Sequence, residues 1–253
     1  MLSSAWRQAQ LGHRPYVVEL EMSNRNLARR LVCGETGVEI WKAKRGYLSE
    51  QEMDLMAQWH ISQGDAQNRI VIDESASMTV SALAARLDRA KRKQSIDVVW
   101  IDYIGLLQPS TRQRPGYDRM TAISNELRVL AKEIDLPFAA LAQLSRPPKT
   151  LSKEAPPPPR LTDLRDSGEL EQDAESVCFL HRPKYYDSTA GDEVQFIIAK
   201  YRDGSDGMEE LLFDANGIRI LDKPLDIPAF NVHQGISPNN RIEPNRNSDE
   251  PPF

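Results

Sequence analysis

Asp97–Leu107 reads DVVWIDYIGLL, a run of four apolar residues, Val98–Ile101, closed by the acid Asp102. A short continuous apolar run rich in β-branched and aromatic residues predicts a strand buried on both faces, as in parallel sheets sandwiched by helices. In such sheets ligands bind beyond the carboxyl ends of the strands, so the acid that closes the run marks a place to watch. The same grammar extends outward in both directions. Upstream, Thr79–Lys93 carries Val80, Leu83, Ala84 and Leu87 at helical spacing and ends in the basic run Arg89, Lys91, Arg92 and Lys93, the usual pattern of a solvated helix face. Before it come a short strand at Ile70–Ile72 and a helix over Glu50–Ile61 opened by a capping box, Ser49 to Glu52. Ser23 caps a helix bearing Leu27, Leu31 and Val32, and Tyr16–Leu20 is a strand followed by Glu21. A further helical segment begins at Met1.

Downstream, prolines and a glycine make Gln108–Tyr117 a loop. Met120, Ile123, Leu127, Leu130, Ala131 and Ile134 line one face of a helix over Asp118–Ile134, stopped before Pro137. Phe138–Ala142 is the next strand, with Gln143 after it, and Ser145–Arg160 is too proline-rich for regular structure. Ser176–Leu180, Val194–Ala199, Leu211–Phe213 and Ile218–Leu221 form a terminal group of strands. The alternation predicts an α/β fold with a mostly parallel sheet flanked by helices over residues 1–222, and a disordered polar tail over 223–253.

With 253 residues, 40% of them hydrophobic, the chain is long enough to bury a substantial core. No apolar run approaches the ~18 residues of a membrane span, and Met1–Gly12 has no signal-peptide core, which points to the cytoplasm and to no membrane partner. Cys33 and Cys178 stand far apart and the four histidines are scattered, so neither a disulfide framework nor a Cys/His metal site is indicated. A net charge of -5 excludes coating of nucleic acid by bulk positive charge, but not local basic contacts.

Three strands end in a polar group that chemistry can use: Glu21, Asp102 and Gln143. Singly, each reads as an ordinary turn starter. Together, an acid able to hold magnesium, an acid able to polarise water and an amide able to sense a phosphate are what nucleoside triphosphate hydrolysis requires. Lys200 and Arg202, two apart on a strand end, project to the same side.

The blocks LEMSNRNLARRL (Leu20–Leu31), VVWIDYIGLL (Val98–Leu107), ALAQLSR (Ala140–Arg146), LTDLRDSGELEQDAESVCFLHR (Leu161–Arg182) and IIAKYRDG (Ile197–Gly204) resemble, in order and spacing, those of the DnaB-type replicative DNA helicases. The likeness runs from the N-terminus to about Asp222. It implies a RecA-like P-loop NTPase core that uses ATP and Mg2+, assembles as a homo-hexamer, moves 5′ to 3′ on single-stranded DNA, and works with a primase or a helicase loader. By position, Glu21 corresponds to the glutamate that orients the attacking water, Arg30 to an arginine near the γ-phosphate, and Asp102 to the Walker-B aspartate that holds magnesium. Gln143 corresponds to the γ-phosphate sensor, and Lys200 and Arg202 to the pair that reaches a neighbour's site. Arg165, Asp166 and Gly168 fall in the loop that follows DNA phosphates, for which a cation, backbone N–H groups and a glycine are suited.

Several features depart from the family. Glu19 stands where a small polar residue is usual, placing an extra carboxylate two residues before Glu21, with an expected effect on metal affinity. Asp166 and Asp203 replace the usual Glu and Asn. No G-x-x-x-x-G-K-[ST] occurs in the 253 residues, nor a counterpart of the family's N-terminal collar domain and linker helix. The strand preceding that phosphate loop is expected in mid-sheet, so its absence predicts a core open on one side. Three readings follow: the C-terminal part of a replicative helicase, a non-catalytic DNA-binding or assembly subunit, and a recombination or clock-type ATPase, the last disfavoured by the RDSG and KYRDG blocks.

Overall fold

The order of elements follows the apolar runs and their caps. A computed structural model describes residues 1–111, 119–144, 157–214 and 219–223, with the side chains of 165–167 outside the described set. The elements are α1 (Leu2–Gln10), β1 (Pro15–Glu19), α2 (Asn24–Thr36), α3 (Ile40–Arg45), α4 (Glu50–Ser62), α5 (Ala66–Arg69), β2 (Val71–Glu74), β3 (Met78–Thr79), α6 (Val80–Gln94), β4 (Val98–Asp102) and β5 (Leu107–Gln108). They continue with α7 (Arg119–Ile134), β6 (Phe138–Ala140), α8 (Gly168–Asp173), β7 (Ser176–His181), β8 (Glu193–Tyr201), β9 (Gly207–Asp214) and β10 (Arg219–Asp222), with a 3-10 segment at Leu161–Ser167 leading into α8.

Among the described residues the long strands fall into two sheets, one of order β2-β1-β4-β6 and one of order β10-β9-β8-β7, with a two-stranded β3-β5 pair beside them. The first sheet is parallel throughout and the second antiparallel throughout. The expected main sheet is therefore present, and the terminal strands form a sheet of their own rather than extending it. Parallel pairing needs long crossovers, which the helical first half supplies; the last strands are joined by short connections that impose antiparallel pairing.

Strand alternation divides the first sheet into two faces. Tyr16, Val18, Leu20, Val99 and Ile101 pack with Leu83 and Leu87 of α6 and Ile123, Leu127 and Leu130 of α7. On the other side Trp6 and Ala9 of α1 pack with Ala66, Leu31, Trp59 and Ile70, and the Trp6 and Trp59 rings lie 5.5 Å apart. Trp100, pointing away from α6 and α7, donates its indole N–H to Gln8 Oε1 at 2.9 Å. This two-sided cover is why Val98–Ile101 carries no polar residue.

The caps decide where helices start. Ser49 and Glu52 form the reciprocal capping box, with Ser49 N–H on Glu52 Oε2 at 2.9 Å and Glu52 N–H on Ser49 Oγ at 3.2 Å. Lys42 pairs with Glu52 at 2.8 Å, and these contacts hold the Glu52 carboxyl well below the usual range, at about 2. Ser23 occupies the cap position of α2, yet its side chain makes no capping bond. Glu74 at the end of β2 does so instead, accepting the Asn24 N–H at 2.8 Å.

β6, Phe138–Ala140, is shorter than Phe138–Ala142; past its end Leu141 N–H donates to Ile101 O, and Leu141 O accepts from Ile104 N–H beyond β4. β6 and β7 are each edge strands among the described residues. Leu141, Leu144 and Leu180, on or just beyond these edges, are 37%, 38% and 55% exposed. Most of the two expected loops, and the tail from 224 onward, lie outside the described residues.

Candidate active site

The parallel register sets Glu19 level with Asp102 on one side and with Glu74 on the other. Three neighbouring strands thus end in a row of acids. β1 stops at Glu19, and Leu20–Ser23 turns the chain into α2, carrying the Glu21 side chain into solvent. The turn is fixed to its surroundings by Leu20 N–H on Asp102 O at 2.9 Å, Ser75 N–H on Glu19 O at 3.1 Å and Glu74 on the start of α2.

Glu19 is fully buried. Its Oε1 accepts the Glu21 N–H at 3.0 Å and the Met22 N–H at 2.7 Å. Burial pushes its carboxyl above the ordinary glutamate range, the two N–H groups pull it back, and the charges of Asp102 and Glu21 push it up again. Asp102 is half-buried and is likewise raised, first by desolvation and then by the Glu21 charge, while the Met1 ammonium and Arg30 oppose the shift. The charges of Glu21 and Arg30 thus both act on Asp102 at the carboxyl end of the sheet, although the three are far apart in the chain. The N-cap of α1 is Met1, so the start of that helix belongs to the same corner.

Gln143 lies exposed three residues past the end of β6, on a segment tied to β4 by Leu141 N–H donating to Ile101 O at 2.9 Å. It is on the same edge of the sheet and has no hydrogen-bond partner among the described residues that joins it to the acids.

Lys200 and Arg202 are brought together with each other but not with the acid row. Lys200 Nζ donates to the carbonyl oxygens of Glu171, of Ala174 at 2.8 Å and of Gln172 at 3.4 Å. Arg202 donates to Gln172 O at 2.6 Å and to the Glu175 carboxylate at 3.0 Å. Both cations thus sit on the carbonyl end of α8, where the unpaired carbonyls and the helix dipole favour positive charge. The same end is fastened to α7 through Asp173, which accepts from Ser124 Oγ at 2.7 Å and pairs with Arg128 at 2.9 Å.

At the other end of α8 is the RDSG segment. The side chains of Arg165, Asp166 and Ser167 lie outside the described residues. Gly168 opens the helix with φ -53, and a Cβ built on it would meet nothing within 4 Å. Packing among the described residues therefore does not require glycine there.

Two contributors were beyond sequence reasoning: the Glu74 cap of α2 and the use of Glu19 by the turn that follows it. The only local signal was an acid closing Val71–Glu74 and an acid inside the apolar run Tyr16–Leu20.

Residues 2–222 match the family model described as DnaB-like helicase C terminal domain. The replicative DNA helicase DnaB of Geobacillus stearothermophilus is 33% identical over 201 residues, covering 78% of this chain and 43% of that protein. The DnaB of Treponema pallidum (strain Nichols) is 35% identical over 204 residues, covering 81% and 44%. Among solved structures, a DnaB-like replicative helicase described with its interactions with primase superposes with a TM-score of 0.77 at 30% identity, covering 87% of this chain and 53% of that one. The chain spans less than half the length of the curated relatives it matches.

Proposed function

Because this chain belongs to the DnaB-like helicase C-terminal domain family, we propose that it is the ATP-driven motor portion of a replicative DNA helicase, moving 5′ to 3′ on single-stranded DNA as a homo-hexamer. The observation that carries the reading is the parallel register that sets Glu19, two residues before Glu21, level with Asp102 at the carboxyl end of the sheet, where the charges of Glu21 and Arg30 act on Asp102. Two acids and a cation there match the demands of phosphoryl transfer to water: hold the metal, orient the nucleophile, neutralise the transferring group.

Asp102 suits a magnesium ion held through water. Mg2+ keeps much of its hydration and takes one or two carboxylates plus substrate phosphates, and the described residues contain no group of three or more His, Cys, Asp or Glu able to cage a metal alone. Bound ATP and Mg2+ supply the electrophilic phosphorus and offset its charge. Glu21, projecting into solvent from a turn pinned at several points, orients the water and takes up its proton. Arg30, an exposed cation of α2 whose charge acts on Asp102, meets the γ-phosphate, and Gln143 reports on that phosphate from beyond the end of β6.

Lys200 and Arg202 act on the nucleotide of the adjacent subunit, and Arg165, Asp166 and Gly168 contact the DNA backbone from the channel wall. Contact through one arginine and backbone N–H groups per loop does not need a basic chain overall, which reconciles DNA binding with the acidic balance. Cytoplasmic replication, with a primase or a helicase loader as partner, follows from the same reading. No described helix is long and apolar enough to cross a membrane.

The test is single-stranded-DNA-dependent ATP turnover by the chain alone and after supplementation with a segment bearing an apolar strand and a G-x-x-x-x-G-K-[ST] loop. The chain alone turns over little, because no residue in it supplies the phosphate-cradling loop; the supplemented assembly hydrolyses ATP. Glu21→Gln then lowers turnover about 100-fold or more, as loss of a positioned general base does, and Arg202→Ala about 1,000-fold, as loss of an arginine finger does. Mixing the two variants restores part of the activity, because each supplies in trans what the other lacks. Turnover indifferent to Glu21→Gln overturns the catalytic assignment, and mixed rings with no recovery overturn the in-trans role of Arg202.

A further inference from the structure

We propose that Glu19 is a positioning residue: its buried carboxylate clamps the turn after β1 by accepting two successive backbone N–H groups, and thereby fixes where the Glu21 side chain projects. The role attributed to Glu21 rests on the reading above; the clamp itself rests on geometry alone.

Glu19 is the last residue of β1 and is fully buried, an arrangement that normally costs a carboxylate dearly. One oxygen is repaid by the N–H groups of Glu21 and Met22 at 3.0 and 2.7 Å. These are backbone donors that neither β1 nor α2 can satisfy, since the sheet has ended and the helix begins only at Asn24. The other oxygen, Oε2, is buried with no hydrogen-bond partner among the described residues. An unsatisfied oxygen beside Asp102 and Glu74, its register neighbours, opposes folding rather than helping it. A carboxylate kept at such a place is explained by what its first oxygen does for the turn.

The reach of the side chain is specific. Accepting from residues two and three positions ahead curls the chain tightly over the strand end, so the Glu21 Cα is held at a set height above the acid row while its side chain stays exposed. Without the acceptor, both partly buried N–H groups lose their partner, and the turn must shift to let water reach them. Glu74 secures the far end of the same turn through Asn24, so Glu19 and Glu74 grip it from adjacent strands.

Two measurements on the 253-residue chain test the clamp. In the unaltered protein, NMR should detect through-hydrogen-bond coupling from the Glu21 and Met22 amide nitrogens to the Glu19 carboxyl carbon, with both amides protected from exchange. Glu19→Ala should speed exchange at these two amides about tenfold or more relative to the β4 amides, in keeping with loss of charge-assisted bonds. Glu19→Gln, which keeps an acceptor oxygen, should restore most of the protection. Absent coupling with fast exchange in the unaltered chain overturns the proposal without need of any variant, as does equal protection in Glu19→Ala. In the supplemented assembly, Glu19→Ala should lower kcat with little change in KM, with Glu19→Gln recovering most of it. If the clamp is seen by NMR while turnover ignores Glu21→Gln, the catalytic reading has failed and the clamp stands; if turnover depends on Glu21 but not on Glu19, the positioning role has failed.

Discussion

Lys200→Met in the isolated chain separates two uses of one side chain. Nζ of Lys200 is bonded to three carbonyl oxygens at the end of α8. Hydrogen bonds to a charged donor contribute about 1.5–3 kcal/mol when well shielded, and a cation at a helix carbonyl end about 0.3–1 kcal/mol more. Lys200 is only half-buried, so water replaces part of what is lost, and Met keeps the apolar stem packed. The expected destabilisation is about 1–2 kcal/mol. For a domain of this size each kcal/mol lowers the melting temperature by about 2–4 °C, giving a fall of about 2–8 °C. Urea unfolding at neutral pH, paired with hydrogen exchange along Gly168–Glu175, reads both the global loss and its location. Lys200→Arg should recover part of it. A stability within about 0.3 kcal/mol of the unaltered chain, with unchanged exchange in α8, refutes the anchoring. The number also bears on assembly, since a Lys200 that leaves α8 to meet a neighbour's nucleotide forgoes these same bonds and must recover them there.

Leu83→Ala removes a fully buried side chain of α6 from the centre of the larger core, and urea denaturation should show a loss of about 3 kcal/mol, within the ~2–5 kcal/mol range for such cavities. Glu19 and Asp102 are both raised in the folded protein, so the native state binds more protons than the unfolded one just above the ordinary carboxylate range. Stability therefore falls as pH rises through that window, and unfolding measured in EDTA should show the slope flattened in Asp102→Asn and in Glu19→Gln. Gly168→Ala meets open space at an ordinary φ, so stability should be unchanged or raised by a few tenths of a kcal/mol, while single-stranded-DNA affinity, measured by anisotropy in the supplemented assembly, should drop severalfold.

Much of this fold could be read from nearest neighbours along the chain. The capping box at Ser49 was legible because its donor and acceptor are three residues apart, and β4 because four successive apolar residues can be buried on both faces only inside a covered sheet. The cap of α2 was legible in position and wrong in agent: Ser23 sits where expected, but Glu74, fifty residues on, provides the acceptor. The terminal strands were found, yet nothing in their own residues distinguished an extension of the main sheet from the separate antiparallel sheet they form.

The site divides along the same line. Glu21, Asp102 and Gln143 could be picked out one at a time as polar residues closing apolar runs. That the charges of Glu21 and Arg30 act on Asp102 depends on the parallel register between β1 and β4, which brings the end of β1 level with Asp102. Lys200 and Arg202 were placed on one side by strand period, but their grip on the carbonyls of α8 required a helix nearly thirty residues earlier to be delivered there. Local periodicity and capping depend on the backbone's own geometry and survive in the bare sequence. Burial of Glu19, the row of acids and the anchoring of the cations depend on which distant segments share an interior, and that is decided only when the chain has packed.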